Sequence, residues 1–256
     1  MSVLHGLSRV VAIPLAPVLL VQARRVRKVI PRLPDASLPW NGTVYGPDPM
    51  SLLVLGDSTA AGVGVMNQAD GLVGSLAVEL AKRTGRGVEW EALGANGATA
   101  RDLVEQFLEP ALEREHDFVF LSVGANDALG LRSRSAFRRD IRSLLDALRQ
   151  RNPEATMVMS SLPAFFRFTS LPEPLRWNLY LHSQSLELAA RELSAPLPGM
   201  SMSPPVPPYS EGFFADDLFH PSAAGYRDWA RFALDELALE GLAPGNLSVD
   251  DPERLP

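Results

Sequence analysis

Two short stretches hold residue types that could do chemistry together. In "LGDSTAAGVGV" an apolar run stops at Gly56-Asp57-Ser58 and small residues follow. Two readings fit: a strand ending in a turn and a helix cap, or a serine presented at a strand end for nucleophilic attack. A hydroxyl attacks poorly until a base takes its proton, so the second reading needs a histidine. Of four histidines, His5 lies in an N-terminal arm, His116 ends a helix and His182 falls mid-helix, which suits surface or capping roles. His220, in "FFADDLFHPSAAGY", precedes Pro221. Proline fits a first helical position, so the histidine belongs at a helix cap with its ring free to enter a cleft. Asp217, three residues earlier, can accept the Nδ1 proton and leave Nε2 as base. A capping histidine beside a solvated acidic pair is the plainer alternative.

The elements that must position these residues follow from the apolar pattern. Runs rich in β-formers occur at 52–55, 88–93, 118–123, 156–160 and, weakly, 195–200. Helical periodicity fills 70–84, 100–115, 134–151, 175–194 and 222–239. Continuously apolar strands separated by helices predict a parallel sheet covered on both faces, an α/β three-layer sandwich on five parallel strands. Ligands of such sheets bind outside the carboxyl ends of the strands. Those ends carry Gly56-Asp57-Ser58, then "GANGAT" with Gly94, Asn96 and Gly97, then "GANDALG" with Gly124, Asn126 and Asp127. With Asp217 and His220 these groups gather on one edge, more than cap chemistry requires.

Gly56-Asp57-Ser58, Gly97, Gly124-Ala125-Asn126-Asp127 and Asp217-Leu218-Phe219-His220 resemble, in order, the four blocks of the SGNH (GDSL) hydrolase superfamily, over about residues 51–240. The resemblance implies the SGNH or flavodoxin-like α/β/α sandwich and a serine esterase working through an acyl-enzyme, without cofactor or metal. It implies Ser58 as nucleophile, His220 as base and Asp217 as its partner. It further implies an oxyanion hole from the Ser58 and Gly97 N–H groups and the Asn126 side chain. Gly94 is the rival donor to Gly97, whose sequence context matches the block better. Asp57 and Asp127 are read as acceptors for turn amides.

Length and composition bound the rest. The 256 residues, 46% of them hydrophobic, suffice for one α/β domain with a packed core. A net charge of -6 and basic clusters without stacking aromatics exclude nucleic acid as an expected partner. The absence of cysteine excludes disulfides, thiolate metal sites and a cysteine nucleophile. Ala60 breaks Gly-x-Ser-x-Gly, and no Gly-x-Gly-x-x-Gly supports a nucleotide or flavin site. A carbohydrate O-acetyl esterase and an inactive binding domain of the same fold are the alternatives left standing.

Residues 1–50 read as an arm and a proline-rich linker, 51–240 as the domain and 241–256 as a polar tail. In the arm, an apolar run from Val10 to Val21 meets Arg24, Arg25, Arg27 and Lys28. It is too short to span a bilayer and contains Pro14 and Pro17. It either packs on the domain or lies against an anionic membrane through residues 10–28, giving a cytoplasmic or membrane-peripheral enzyme. A secretory leader ending at Ala23 is the alternative. The proposed site lies within residues 56–220, so removal of residues 1–40 is expected to leave short-ester hydrolysis nearly intact. The substrate is expected to be a small ester. Phe165, Phe166 and Phe168, in "LPAFFRFTSLPEPLRW", suggest an apolar lip that favours lipid or aryl esters over acetylated sugars, unless they pack onto their own domain.

Overall fold

The structure is a computed structural model and describes residues 8–29, 31–205, 209–235, 237 and 242. Strand β2 (Met50–Gly56) shows why the sheet is covered on both sides. Met50, Leu52 and Val54 enter one hydrophobic core, whereas Leu53 and Leu55 enter the other. This two-residue alternation with both faces apolar is the signature of a central parallel strand.

Six strands form the sheet in the order β1 (Asn41–Val44), β3 (Val88–Gly94), β2, β4 (Phe118–Ser122), β5 (Thr156–Met159) and β6 (Met200–Met202). β2 to β6 are parallel, and β1 is an antiparallel edge on β3. The parallel strands thus follow the flavodoxin-like order, with the first strand seated between the second and third. The chain order reverses around β2, which opens a crevice at the carboxyl ends of β2, β3 and β4.

One face of the sheet is covered by α2 (Leu72–Thr84) and α7 (Ala223–Leu234), the other by α5 (Arg134–Arg151) and α6 (Leu175–Ser194). In α5, Phe137, Ile141, Leu144 and Leu148 recur at helical spacing and are buried. Ser133 caps its start by accepting from the Ala136 N–H.

Several sequence expectations are corrected. The sheet has a sixth strand because part of the proline-rich linker pairs with β3. The predicted helix over 100–115 is three pieces that together form α3: Ala100–Asp102, a π-helical turn Leu103–Phe107 and Leu108–Ala111. Pro110 has no N–H to return to the preceding turn, which favours this widened register. A short helix, α4 (Ala125–Leu129), occupies part of what reads as loop. The last strand falls at Met200–Met202 because residues 195–199 turn the chain out of α6.

The arm is also a helix. α1 spans Ser8–Val29 with Pro14 and Pro17 inside it. Leu19 is buried in the core shared with α5 and α6, and Leu15, Ala23 and Val26 pack against that core. The proline penalty of about 3 kcal/mol per interior position is offset by this packing. Among the described residues no helix is long and apolar enough to cross a membrane. His5, residues 236, 238 and 239 of the expected last helix, and the tail apart from Leu242 lie outside the described residues.

Candidate active site

Ser58 follows the last residue of β2 by two positions and is nearly buried. The Asp57 N–H extends the β2–β4 ladder by donating to the Ser122 carbonyl at 3.0 Å. Past Ser58 there is a series of turns rather than the helix that a capping role would require. Asp57 accepts from the Thr59 N–H and hydroxyl, both at 3.1 Å, as expected of an acid that holds its own turn. Thr59 Oγ1 also lies 2.7 Å from Ser122 Oγ, which ties the serine turn to the end of β4.

His220 comes from the opposite end of the sequence. Its Nε2 lies 3.0 Å from Ser58 Oγ, and its Nδ1 lies 2.6 Å from Asp217 Oδ2. The other Asp217 oxygen accepts the Phe219 and His220 N–H groups, each at 2.9 Å. Burial is the largest single influence on the Asp217 carboxyl and pushes its pKa up. The bonds from His220 and Phe219 together outweigh it and hold the group below the usual carboxylate range. Asp217 is therefore a buried carboxylate that fixes one ring nitrogen as donor and leaves Nε2 facing the serine. Asp216 is exposed and Asp217 is not. The loop is tied to the serine turn by the Tyr226 hydroxyl of α7, which donates to the Val63 carbonyl at 2.7 Å.

The loop that carries Gly97 is bonded to the helix that carries Asn126. Gly97 is exposed with φ +87, a left-handed conformation that disfavours any side chain. Gly94 is buried at the end of β3, where a Cβ would strike the Gly56 carbonyl, so packing accounts for it. Asn126 Nδ2 donates one hydrogen to the Ala98 carbonyl at 3.0 Å, and an amide has a second to offer. Asp127 accepts the Ala100 N–H at 2.9 Å and an Arg132 N–H at 3.1 Å. It thus serves the neighbouring loop rather than the turn around Asn126, a partner that sequence spacing could not identify. A capping box between Thr99 and Asp102 secures the same loop at the start of α3.

The aromatic lip is corrected in part. Phe165 is fully buried in the core and forms no lip. Phe168 is buried too, but lines a cavity beside Ser58, where its ring meets Tyr209, Phe214 and Phe219. Phe166 alone reaches the surface, edge-on to Tyr180. His116 and His182 are buried rather than superficial: His116 lies 3.3 Å from Glu91, and His182 Nε2 lies 2.9 Å from the Arg132 carbonyl. Neither belongs to the cluster around Ser58.

Two spaces meet at Phe219 and His220. One is a cavity of about 80 Å³ against Ser58, walled by Phe168, Tyr209, Phe213 and Phe214. The other is a groove of about 430 Å³ leading from Asn96 and His220 to α1. The groove was not legible in the sequence, because its far wall comes from the arm.

Residues 54–227 match the model of a family described as "GDSL-like Lipase/Acylhydrolase family". A GDSL-like esterase of Mycobacterium tuberculosis is 27% identical over 227 residues, which is 80% of this chain and 71% of that protein. Among solved structures, the acetylxylan esterase Axe2 of Geobacillus stearothermophilus is similar with a TM-score of 0.56 at 18% identity, covering 74% of this chain and 94% of that one. A lipase from a goat rumen metagenome is similar with a TM-score of 0.55 at 16% identity, covering 71% and 94%. Likeness at such identities speaks to the fold alone.

Proposed function

The chain belongs to the GDSL-like lipase/acylhydrolase family and is a carboxylic ester hydrolase, and on that premise we propose that it works through Ser58, His220 and Asp217 by way of an acyl-enzyme. The observation that carries the reading is the unbroken line from Asp217 Oδ2 through both nitrogens of His220 to Ser58 Oγ, with contacts of 2.6 and 3.0 Å.

His220 Nε2 removes the Ser58 proton as Oγ bonds to the ester carbonyl carbon. The carbonyl oxygen takes the negative charge and is met by the Ser58 and Gly97 N–H groups and the free hydrogen of Asn126 Nδ2. Such donors stabilise the tetrahedral intermediate more than the ester, each by roughly 3–4 kcal/mol. The intermediate collapses, the carbon–oxygen bond to the alcohol breaks, and His220 returns the proton to the departing oxygen. Water then adds to the acyl-serine with His220 again as base, releasing the acid and restoring Ser58. Asp217 stays ionised throughout and stabilises the imidazolium.

The substrate class is proposed as lipid-type or aryl esters. Phe168, Phe214 and Phe219 surround the serine with apolar surface, which suits a hydrocarbon group better than a sugar. We also propose that the outward face of α1 touches an anionic membrane and makes the enzyme membrane-peripheral. Val18, Leu20 and Val21 are exposed there beside exposed Arg24, Arg25 and Lys28, a basic strip on a chain of net charge -6.

A fluorophosphonate should label Ser58 in the native protein, and Ser58→Ala should lose both the label and p-nitrophenyl ester hydrolysis while keeping the wild-type circular dichroism. Asp217→Asn should lose roughly 100–10000 fold in kcat, and Asp216→Asn little. Labelling at another residue, or an active Ser58→Ala protein, rejects the assignment.

A further inference from the structure

We propose that the inner face of α1 is one wall of an acyl-chain site, so that the N-terminal helix sets the length of acyl group the enzyme prefers; this rests on the reading of Ser58 and His220 as the ester site. α1 is held across the start of α6 by Gln22. Its Nε2 donates to the Glu173 carbonyl at 2.6 Å, and its Oε1 accepts the Leu175 N–H at 3.2 Å. The Leu175 N–H belongs to the first turn of α6 and has no partner within that helix. Gln22 therefore joins α1 to a helix end that would otherwise need water.

Beside this contact the two helices do not close. Ala23 and Val26 of α1 face Leu129 of α4 and Leu171, Leu175 and Leu179 across the groove of about 430 Å³. That volume lies in the range of small-molecule sites, roughly 300–1000 Å³, whereas the aromatic cavity of about 80 Å³ against Ser58 falls below it. The polar groups along the groove are Asn96, Asp217 and His220, where an ester would react, and the exposed Arg32 just past the end of α1; between them Ala23 and Val26 of α1 and the facing leucines are hydrocarbon. A medium-length fatty acyl chain with its carbonyl at Ser58 meets both conditions. Its apolar carbons lie along α1, and the smaller cavity receives the other side of the ester. A site shaped this way discriminates by roughly 10–200 fold per methylene that no longer fits.

The test is kcat/KM on p-nitrophenyl acetate, butyrate, octanoate and decanoate with full-length variants checked by circular dichroism. Wild type should favour octanoate over acetate. Val26→Trp should lower the octanoate-to-acetate ratio at least about tenfold, Ala23→Val should lower it less, and Val26→Ala should move the optimum toward decanoate. A merely structural helix would not shift the optimum in opposite directions. Ratios equal to wild type in folded Ala23→Val and Val26→Ala proteins, or shifts of one sign in both, overturn the proposal even if Val26→Trp fails to fold. Ser58→Ala separates the two levels. If it hydrolyses any of these esters, the ester site itself is misassigned, whereas an inert Ser58→Ala with unmoved Val26 ratios removes the acyl wall alone.

Discussion

Asp57 stands next to the proposed nucleophile with only 3% of its surface exposed. Burial, offset only in part by the Thr59 N–H and hydroxyl and by His220, pushes its pKa from 3.8 up to about 6. An acid that binds its proton more tightly folded than unfolded costs stability as pH rises from about 4 to about 6, and that cost persists above. A rise of this size corresponds to about 3 kcal/mol. Asp57→Asn keeps an oxygen for the Thr59 bonds and removes the charge. The melting temperatures of the two proteins should converge near pH 4, and the Asn variant should melt higher at pH 7. A difference that does not widen across that window would show that Asp57 does not titrate there. Asp217 has the opposite sign: its lowered pKa adds stability above the ordinary carboxylate range, lost as pH falls through the folded value.

At the scale of elements, the proposed oxyanion loop at Gly97 is held by α4. Asn126 takes the Ala98 carbonyl, Asp127 takes the Ala100 N–H, and Arg132 bridges Asp127 to Asp140. Asp127 is wholly buried, and burial raises its pKa against the pull of Ala100 and Arg132. Arg132→Leu would leave this carboxyl without its cation and should destabilise the protein by about 3 kcal/mol in urea unfolding. Adding Asp127→Asn should recover much of that loss, because the remaining amide oxygen can still accept the Ala100 N–H. If the double variant is as unstable as the single one, the pair does not act through charge. Arg132 lies just beyond the family block, and no local pattern of residues marks its pairing with Asp127 and Asp140.

At the scale of the whole molecule, the arm and linker are not separable from the domain in one step. The Ala36 N–H donates to the Ala61 carbonyl at 2.9 Å and the Ser37 N–H to the Met66 carbonyl at 2.8 Å, so residues 36–37 brace the turns that follow Ser58. Removal of residues 1–40 should therefore cost more acetate-ester turnover and more thermal stability than removal of residues 1–30, contrary to the expectation that both lie outside the site. Equal losses would mean that the brace is idle. Vesicles containing anionic lipid should bind the full chain less as salt rises, and should not bind either truncated form. Absence of binding at low salt removes the membrane reading and leaves the acyl wall standing.

The sequence by itself determined the layers, the parallel run of the strands and the identity of the residues at the strand ends. These are local consequences of periodicity: β2 alternates Leu52 and Val54 against Leu53 and Leu55 whatever lies around it, and a run apolar on both faces has few homes besides a covered sheet. The pairing of Ser58 with His220 was legible for another reason: histidines are few, four in the chain, and only His220 follows an acid in a stretch expected at the same sheet edge as Ser58. Tertiary structure alone decided the rest. Linker residues 41–44 became a strand because the edge of β3 was open to them. Asp127 found its partner 27 residues away at Ala100. α1 kept two prolines inside a helix because Leu19 and Gln22 gain on α6 what the backbone loses. Each of these depends on contacts between segments far apart in the chain, and no local pattern of residues encodes which distant surface will be left open.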